Sequence, residues 1–214
     1  MDFHYMSPSP PCRSVMLTAK ALGLTLNKIE VNVFEGQHMT PEFIEMNPQH
    51  SVPTLVDGDL TLWESRPICT YLVAKYGEDD SLYPADPEQR FRIDRLLYFD
   101  MGTLYTRFLK YAGPALFQGE DPDPAKLESL NEALGWFNGF LEGHEFCVGD
   151  SITVADFSLI ASISSLIEAG IDMSEFANIT PWVERCQEQM VDYESENGEG
   201  AKAFGEFAKP KLCP

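Results

Sequence analysis

Residues 47–77 read NPQHSVPTLVDGDLTLWESRPICTYLVAKYG, and the order of signals in this stretch decides what fold the chain can adopt. Thr54–Val56 and Leu60–Trp63 are short β-prone runs on either side of Asp57-Gly58-Asp59, a strong signal for a tight hairpin. Ser65–Tyr76 then carries helical spacing and stops at Gly77. A hairpin that runs straight into a helix presents a sheet face for that helix to cover.

Toward the N-terminus, Phe3–Met6 predicts a first strand, followed by a helix whose apolar positions Val15, Met16, Ala19 and Leu22 keep the helical period up to Gly23. Leu26–Val33 is β-branched and apolar and predicts a second strand; Pro41–Met46 predicts a short helical turn. The order strand, helix, strand, helix, strand, strand, helix joins a parallel pair to an antiparallel hairpin. Residues 1–80 are therefore expected to form an α/β domain with a mixed four-stranded sheet.

Toward the C-terminus, GEDDSLYPADPEQ (77–89) has two prolines, a glycine and acidic clusters, the composition of a linker. Beyond it only helices are expected: 90–111, 125–142, 153–169, 181–189 and a last one near 201–207. Residues 88–214 are expected to form an all-α domain. Thr153-Val154-Ala155-Asp156, with Ile152 facing Phe157, reads as an N-terminal capping box with its hydrophobic staple.

The bulk properties exclude several classes of function. Fifteen basic against 34 acidic residues give a net charge of −19, which repels nucleic-acid backbones and anionic membrane surfaces. The sequence carries neither a basic-then-apolar leader nor an uninterrupted apolar span, so no membrane partner is expected. The five cysteines, at 12, 69, 147, 186 and 213, lack metal-ligand or disulfide-framework spacing. Reduced thiols in the cytoplasm, and no metal, are expected.

The chemistry centres on Ser9-Pro10-Pro11-Cys12. A thiol-redox protein carries Cys-x-x-Cys between its first strand and first helix; here the leading residue is serine. Prolines are tolerated in a first helical turn, which puts Ser9 at the helix N-terminus, where the dipole and backbone N–H groups are expected to stabilise an anion. Serine cannot form a mixed disulfide, so the site suits holding another molecule's thiolate. The alternative for this stretch alone is that Ser9 caps the helix and Cys12 is a small core residue. Val52-Pro53, at the start of a strand, is a place for a cis proline with free backbone groups beside it. Glu64-Ser65-Arg66 offers a carboxylate for an amine and a helix N-terminus for a carboxylate, while His38, His50 and Arg66 supply donors for an anion. Together these describe a pocket for a short anionic thiol peptide.

The segments SPSPPCRSVMLTAKALG, NPQHSVPTLVDGDLTLWESRPICTYLVAKYG, SLYPADPEQR, LYFDMGTLY and VGDSITVADFSLIAS resemble, in order and over essentially the whole length, the cytosolic glutathione transferases, and most of all the insect delta class. The resemblance implies a thioredoxin-like N-terminal domain, an all-helical C-terminal domain, a homodimer, glutathione as co-substrate and no redox cofactor. It implies conjugation of glutathione to hydrophobic electrophiles in detoxification, with a non-catalytic ligand-binding or structural module as the alternative. Carried over by position, Ser9 activates the thiol, Val52 ahead of a cis Pro53 pairs with the cysteinyl backbone, and Glu64 and Ser65 hold the γ-glutamyl end. His38 and His50 face the glycyl end, and Arg66 supports the site with Asp100. Tyr105, Phe108, Tyr111, Phe117, Phe204 and Phe207 correspond to positions lining the hydrophobic substrate site, a packed core stripe being the alternative for Phe108 and Tyr111. Pro67 departs from the usual alanine and removes an N–H near the glutamyl carboxylate.

Overall fold

The computed structural model describes residues 1–213. Strand β1 (Asp2–Tyr5) pairs in parallel with β2 (Asn27–Glu30), Phe3 opposite Lys28, and antiparallel with β3 (Thr54–Asp57), Phe3 opposite Leu55. β3 pairs antiparallel with β4 (Leu60–Trp63), so the sheet order is β2-β1-β3-β4. Gly58 makes the hairpin possible: its φ of +63° lies in the left-handed region that side chains disfavour. The helices of this domain are α1 (Pro10–Ala21), α2 (Pro41–Met46) and α3 (Ser65–Tyr76). Phe3, Val15, Leu55, Ile68 and Leu72 are fully buried between sheet and helices.

The second domain holds α4 (Pro87–Phe99), α5 (Tyr105–Gln118), α6 (Pro124–Phe140), α7 (Val154–Glu168), α8 (Ile179–Gln189) and α9 (Glu199–Leu212). Helix α7 is buried on all sides as far as Leu166, which its apolar and small residues permit. It begins at the expected capping box: Asp156 Oδ2 accepts from the Thr153 N–H (2.9 Å), and Oδ1 accepts from the Cys147 N–H and the Trp182 indole (2.9 and 3.0 Å). This buried carboxylate is fully satisfied, so the sequence used to start one helix also ties α7 to α8. Helix α1 packs against α3 within its own domain and, across the domain boundary, against α7.

Several element bounds differ from expectation for local reasons. The second strand stops at Glu30 and not Val33, because the Asn32 side chain accepts from the Phe34 and Glu35 N–H groups and bends the backbone into a 3₁₀ turn at Val33–Glu35. The helix expected over 90–111 is two helices. Asp86 caps α4 through the Gln89 N–H (3.0 Å), a π-helical turn at Asp100–Leu104 follows, and α5 runs through Pro114 to Gln118. Likewise α9 runs from Glu199 to Leu212, with Pro210 inside it, and follows a second π-helical turn at Glu194–Gly198. Among the described residues, no helix is long and apolar enough to cross a membrane.

Candidate active site

Ser9 stands at the N-cap of α1 in extended conformation, and its hydroxyl makes no capping hydrogen bond. Its own N–H donates to the Met6 carbonyl (3.0 Å), and its carbonyl accepts from the Cys12 and Arg13 N–H groups (3.0 and 3.1 Å). This corrects one expectation. Pro10 and Pro11 have no N–H and the Cys12 N–H is engaged, so the helix start offers an anion its dipole but no free backbone donor in the first turn. The donor left at this point is the Ser9 hydroxyl. The other nearby hydroxyl, Ser7, is pressed against α9: a Cβ on Gly200 would run into the Ser7 carbonyl and the Arg13 Cδ, so only glycine permits the approach. Cys12 is fully buried; burial pushes its thiol up to about 11, although the Ser9 hydroxyl acts the other way. It is a neutral, inert thiol at physiological pH.

The loop before β3 is knotted by Asn47. Its side-chain amide donates to the Ser51 carbonyl (3.1 Å) and the Thr54 hydroxyl (2.8 Å), and its Oδ1 accepts from the Gln49 N–H (3.0 Å). The Val52–Pro53 bond is cis. Among the described residues, neither the N–H nor the C=O of Val52 has a backbone partner. The His38 and His50 rings lie 6.0 Å apart, and His38 Nδ1 is buried without a partner. At the other end of the hairpin, Glu64 adopts φ +71° and ψ +108°, a conformation that costs a side-chain residue about 1–3 kcal/mol and that persists chiefly at functional sites. The Glu64 side chain is exposed and makes no cap bond, while Ser65 is buried in the first turn of α3. Pro67 fits that same turn, where an N–H would have no intrahelical partner, and α3 continues unbroken to Tyr76.

Arg66 carries the site into the second domain. Its guanidinium bonds Asp100 Oδ2 (2.6 Å) and the Ser65 hydroxyl (3.2 Å), and lies 5.8 Å from the Tyr105 ring centre. Burial works against the Arg66 charge, but the charge and hydrogen bond of Asp100 outweigh it and raise the pKa above the ordinary value. Asp100, wholly buried in the π-helical turn after α4, also accepts from Ser158 (2.6 Å) and Ser162 (2.8 Å) of α7. A second arginine crosses the boundary beneath Ser9. Buried Arg13 donates to the Ala161 carbonyl and the Ser164 and Ser165 hydroxyls of α7, and to Asn197 Oδ1. Burial lowers its pKa to about 10, which leaves it charged at neutral pH.

The aromatic residues separate into groups. Phe108 is buried and meets the half-buried Phe204 edge to face at 5.9 Å. Tyr105 stands beside Arg66, its phenol pushed up to about 12 by burial. Phe117 and Phe207 are exposed and face each other at 6.3 Å. Tyr111 is not with them; it is buried in the helical core. Phe34, which no sequence pattern marks, joins Phe117 and Phe207 from the other domain. Its signal in the sequence was only an aromatic residue in a polar loop four residues ahead of His38. Among the described residues, no group of three His, Cys, Asp or Glu side chains is placed to hold a metal ion.

The two-part fold is shared with known proteins. Residues 3–80 match the family model for the glutathione S-transferase N-terminal domain, and residues 95–189 the model for the C-terminal domain. The chain is 45% identical to a delta-class glutathione transferase of Nilaparvata lugens, with 99% of each chain covered and a TM-score of 0.96. It is 47% identical to a glutathione transferase of Bombyx mori (96% of each chain, TM-score 0.93). An epsilon-class glutathione S-transferase of the housefly, Musca domestica, is similar at 37% identity (98% of this chain and 97% of that one, TM-score 0.93).

Proposed function

Because the chain belongs to the glutathione S-transferase family and is a glutathione transferase, we propose that the Ser9 hydroxyl activates the glutathione thiol for attack on hydrophobic electrophiles. The observation that carries this reading is the state of Ser9: a hydroxyl not spent on capping, at a helix start with no backbone donor to spare. A free thiol titrates near ~8.5 and is mostly protonated at neutral pH, so a donor that favours the thiolate increases the reactive form directly. A hydrogen bond to a charged acceptor contributes about 1.5–3 kcal/mol, equivalent to about one to two pKa units. The thiol proton leaves to solvent, and the sulfur, held by Ser9 Oγ–H, forms the new C–S bond as the electrophile's leaving group departs.

The remaining groups hold the tripeptide. The unpaired Val52 N–H and C=O suit the cysteinyl backbone. Glu64 and Ser65 suit the ammonium and carboxylate of the γ-glutamyl end, with Arg66 fixing the Ser65 hydroxyl. His38 and His50 suit the glycyl carboxylate, an arrangement that places donors where a chain of net charge −19 otherwise repels an anion. The electrophile takes the aromatic wall of Tyr105, Phe204, Phe117 and Phe207, with the buried Phe108 and Tyr111 packing behind it. The five cysteines are all unpaired, as suits a cytoplasmic enzyme. We place a homodimer contact on the face where exposed Tyr98 and Met101 adjoin Pro67 and Thr70.

The test pairs retention on immobilised glutathione with turnover of a small aryl halide in wild type and Ser9→Ala. Ser9→Ala should be retained yet lose roughly ten- to a hundredfold in rate at neutral pH. Near-wild-type turnover in Ser9→Ala would move activation to another group; retention with no turnover in either protein would favour a binding module.

A further inference from the structure

Three exposed aromatic rings meet across the domain boundary, and the packing of the core does not require them. Phe34, in the 3₁₀ turn after β2, is 63% exposed; Phe117, at the end of α5, is 61% exposed; Phe207, on α9, is 36% exposed. Their ring centres lie 5.7 Å (Phe34–Phe207), 6.3 Å (Phe34–Phe117) and 6.3 Å (Phe117–Phe207) apart, with tilts of 34–47°. Single exposed apolar residues are ordinary; a contiguous aromatic patch drawn from three elements points to a ligand.

The patch is held from both sides. Asn32 Oδ1 accepts from the Phe34 N–H (3.1 Å) and the Glu35 N–H (3.3 Å), and Gln37 Oε1 accepts from the Asn32 N–H (2.8 Å), so the turn presenting Phe34 is pinned. Lys211 donates to the Leu116 carbonyl (3.0 Å), with its ammonium 3.8 Å from the Phe207 ring centre, fastening α9 to the end of α5. Along α9 the patch is one helical turn from the buried aromatic pair. Phe204, which meets Phe108, lies one helical turn before Phe207, a rise of about 4.5 Å along α9. The rings thus form an inner tier (Phe108, Phe204) and an outer tier (Phe34, Phe117, Phe207). Only Phe34 comes from the N-terminal domain, on the same loop as His38.

We infer that the outer tier is a second aromatic subsite, in which Phe34 determines preference for electrophiles carrying a further ring beyond the one beside the thiolate. The inference rests on the proposed hydrophobic substrate site. Because the three rings are tilted against one another, an added planar ring would meet one by its face and another by its edge, the two contacts aromatic groups prefer. An aryl enone shows the chemistry without a leaving group. The sulfur bonds to the β-carbon, the C=C electron pair shifts to the α-carbon, and that carbon takes a proton from solvent.

The experiment compares kcat/KM for trans-4-phenyl-3-buten-2-one and its 4-biphenylyl analogue in wild type, Phe34→Ala, Phe34→Tyr, Phe117→Ala and Phe207→Ala. Phe34→Ala should lower the biphenylyl-to-phenyl ratio by about three- to tenfold, and Phe34→Tyr, which keeps the ring, should restore it. A ratio unmoved in Phe34→Ala but lowered in Phe117→Ala and Phe207→Ala overturns the role of Phe34 and leaves the substrate site standing. A ratio unmoved in all three alanine variants overturns the outer subsite, while Tyr105 and Phe204, untouched in these variants, still carry the hydrophobic-site reading. Equal loss for both enones with a raised KM for glutathione would make Phe34 a support for the His38 loop, against the inference. A changed sedimentation coefficient in Phe34→Ala would make the patch a self-association surface, also against it.

Discussion

Asp100→Ala tests how the two domains are joined at the site. Asp100 is wholly buried and accepts from Arg66 (2.6 Å), Ser158 (2.6 Å) and Ser162 (2.8 Å). The serines sit within α7 and can turn to carbonyls of their own helix, so their loss is small. Arg66 cannot be rehoused so easily: its side chain is 11% exposed and its Nε is already without a partner. Removing one member of a buried ion pair leaves an uncompensated charge and costs about 3–5 kcal/mol. Urea unfolding of Asp100→Ala should show a loss of that size, and the KM for glutathione should rise because Arg66 no longer steadies Ser65. Arg66→Met combined with Asp100→Leu removes both charges and should recover most of the loss. A penalty below about 1 kcal/mol, or strict additivity of the Arg66 and Asp100 substitutions, would refute the view that Asp100 compensates a buried charge.

Three further predictions address other parts of the molecule. Hydrogen bonds from Lys75, Tyr76 and Tyr71 hold the Asp57 carboxyl well below the usual range, which ties the hairpin to α3. Its contribution is present above the unfolded carboxylate value near ~3.9 and is lost as pH falls through the lower folded value. Asp57→Asn should therefore cost about 0.5–1 kcal/mol at neutral pH, after solvent screening, and the difference from wild type should shrink toward pH ~2. Cys12 and Cys69 are fully buried and pushed up to about 11, Cys147 and Cys186 are buried and pushed up as well, and Cys213 alone is exposed. Mass spectrometry after brief alkylation of the native protein should find the label on Cys213; early label on Cys12 would contradict an inert core thiol. Tyr98→Glu should convert a dimer to monomer in analytical ultracentrifugation if the homodimer uses the α4 face, and an unchanged dimer would move the interface elsewhere.

How much of this was legible in the sequence depended on whether a residue acts through its neighbours in the chain. The hairpin at Asp57-Gly58, the capping box at Thr153 and the prolines after Ser9 are local devices, and the structure holds each where local chemistry put it. Elements governed by tertiary contacts were harder to read. Pro114 and Pro210 look like helix breakers, yet α5 and α9 run through them because packing decides. The π-helical turn that delivers Asp100 to Arg66 leaves no pattern in a 3.6-residue period. The surroundings of Ser9 depend on hydrogen bonds that only the fold reveals: the prolines that mark the helix start are also what strip it of free N–H groups. Phe34 was invisible because only the fold brings it against Phe117 and Phe207.

The most direct test of the central claim is the titration of the thiol of bound glutathione, followed by thiolate absorbance at saturation, in wild type and Ser9→Ala. Wild type should titrate about one to two units below the free thiol near ~8.5, and Ser9→Ala should return most of the way to the free value, since no backbone donor at the start of α1 can replace the hydroxyl. An equally lowered pKa in Ser9→Ala would contradict the account and assign the thiolate to another group.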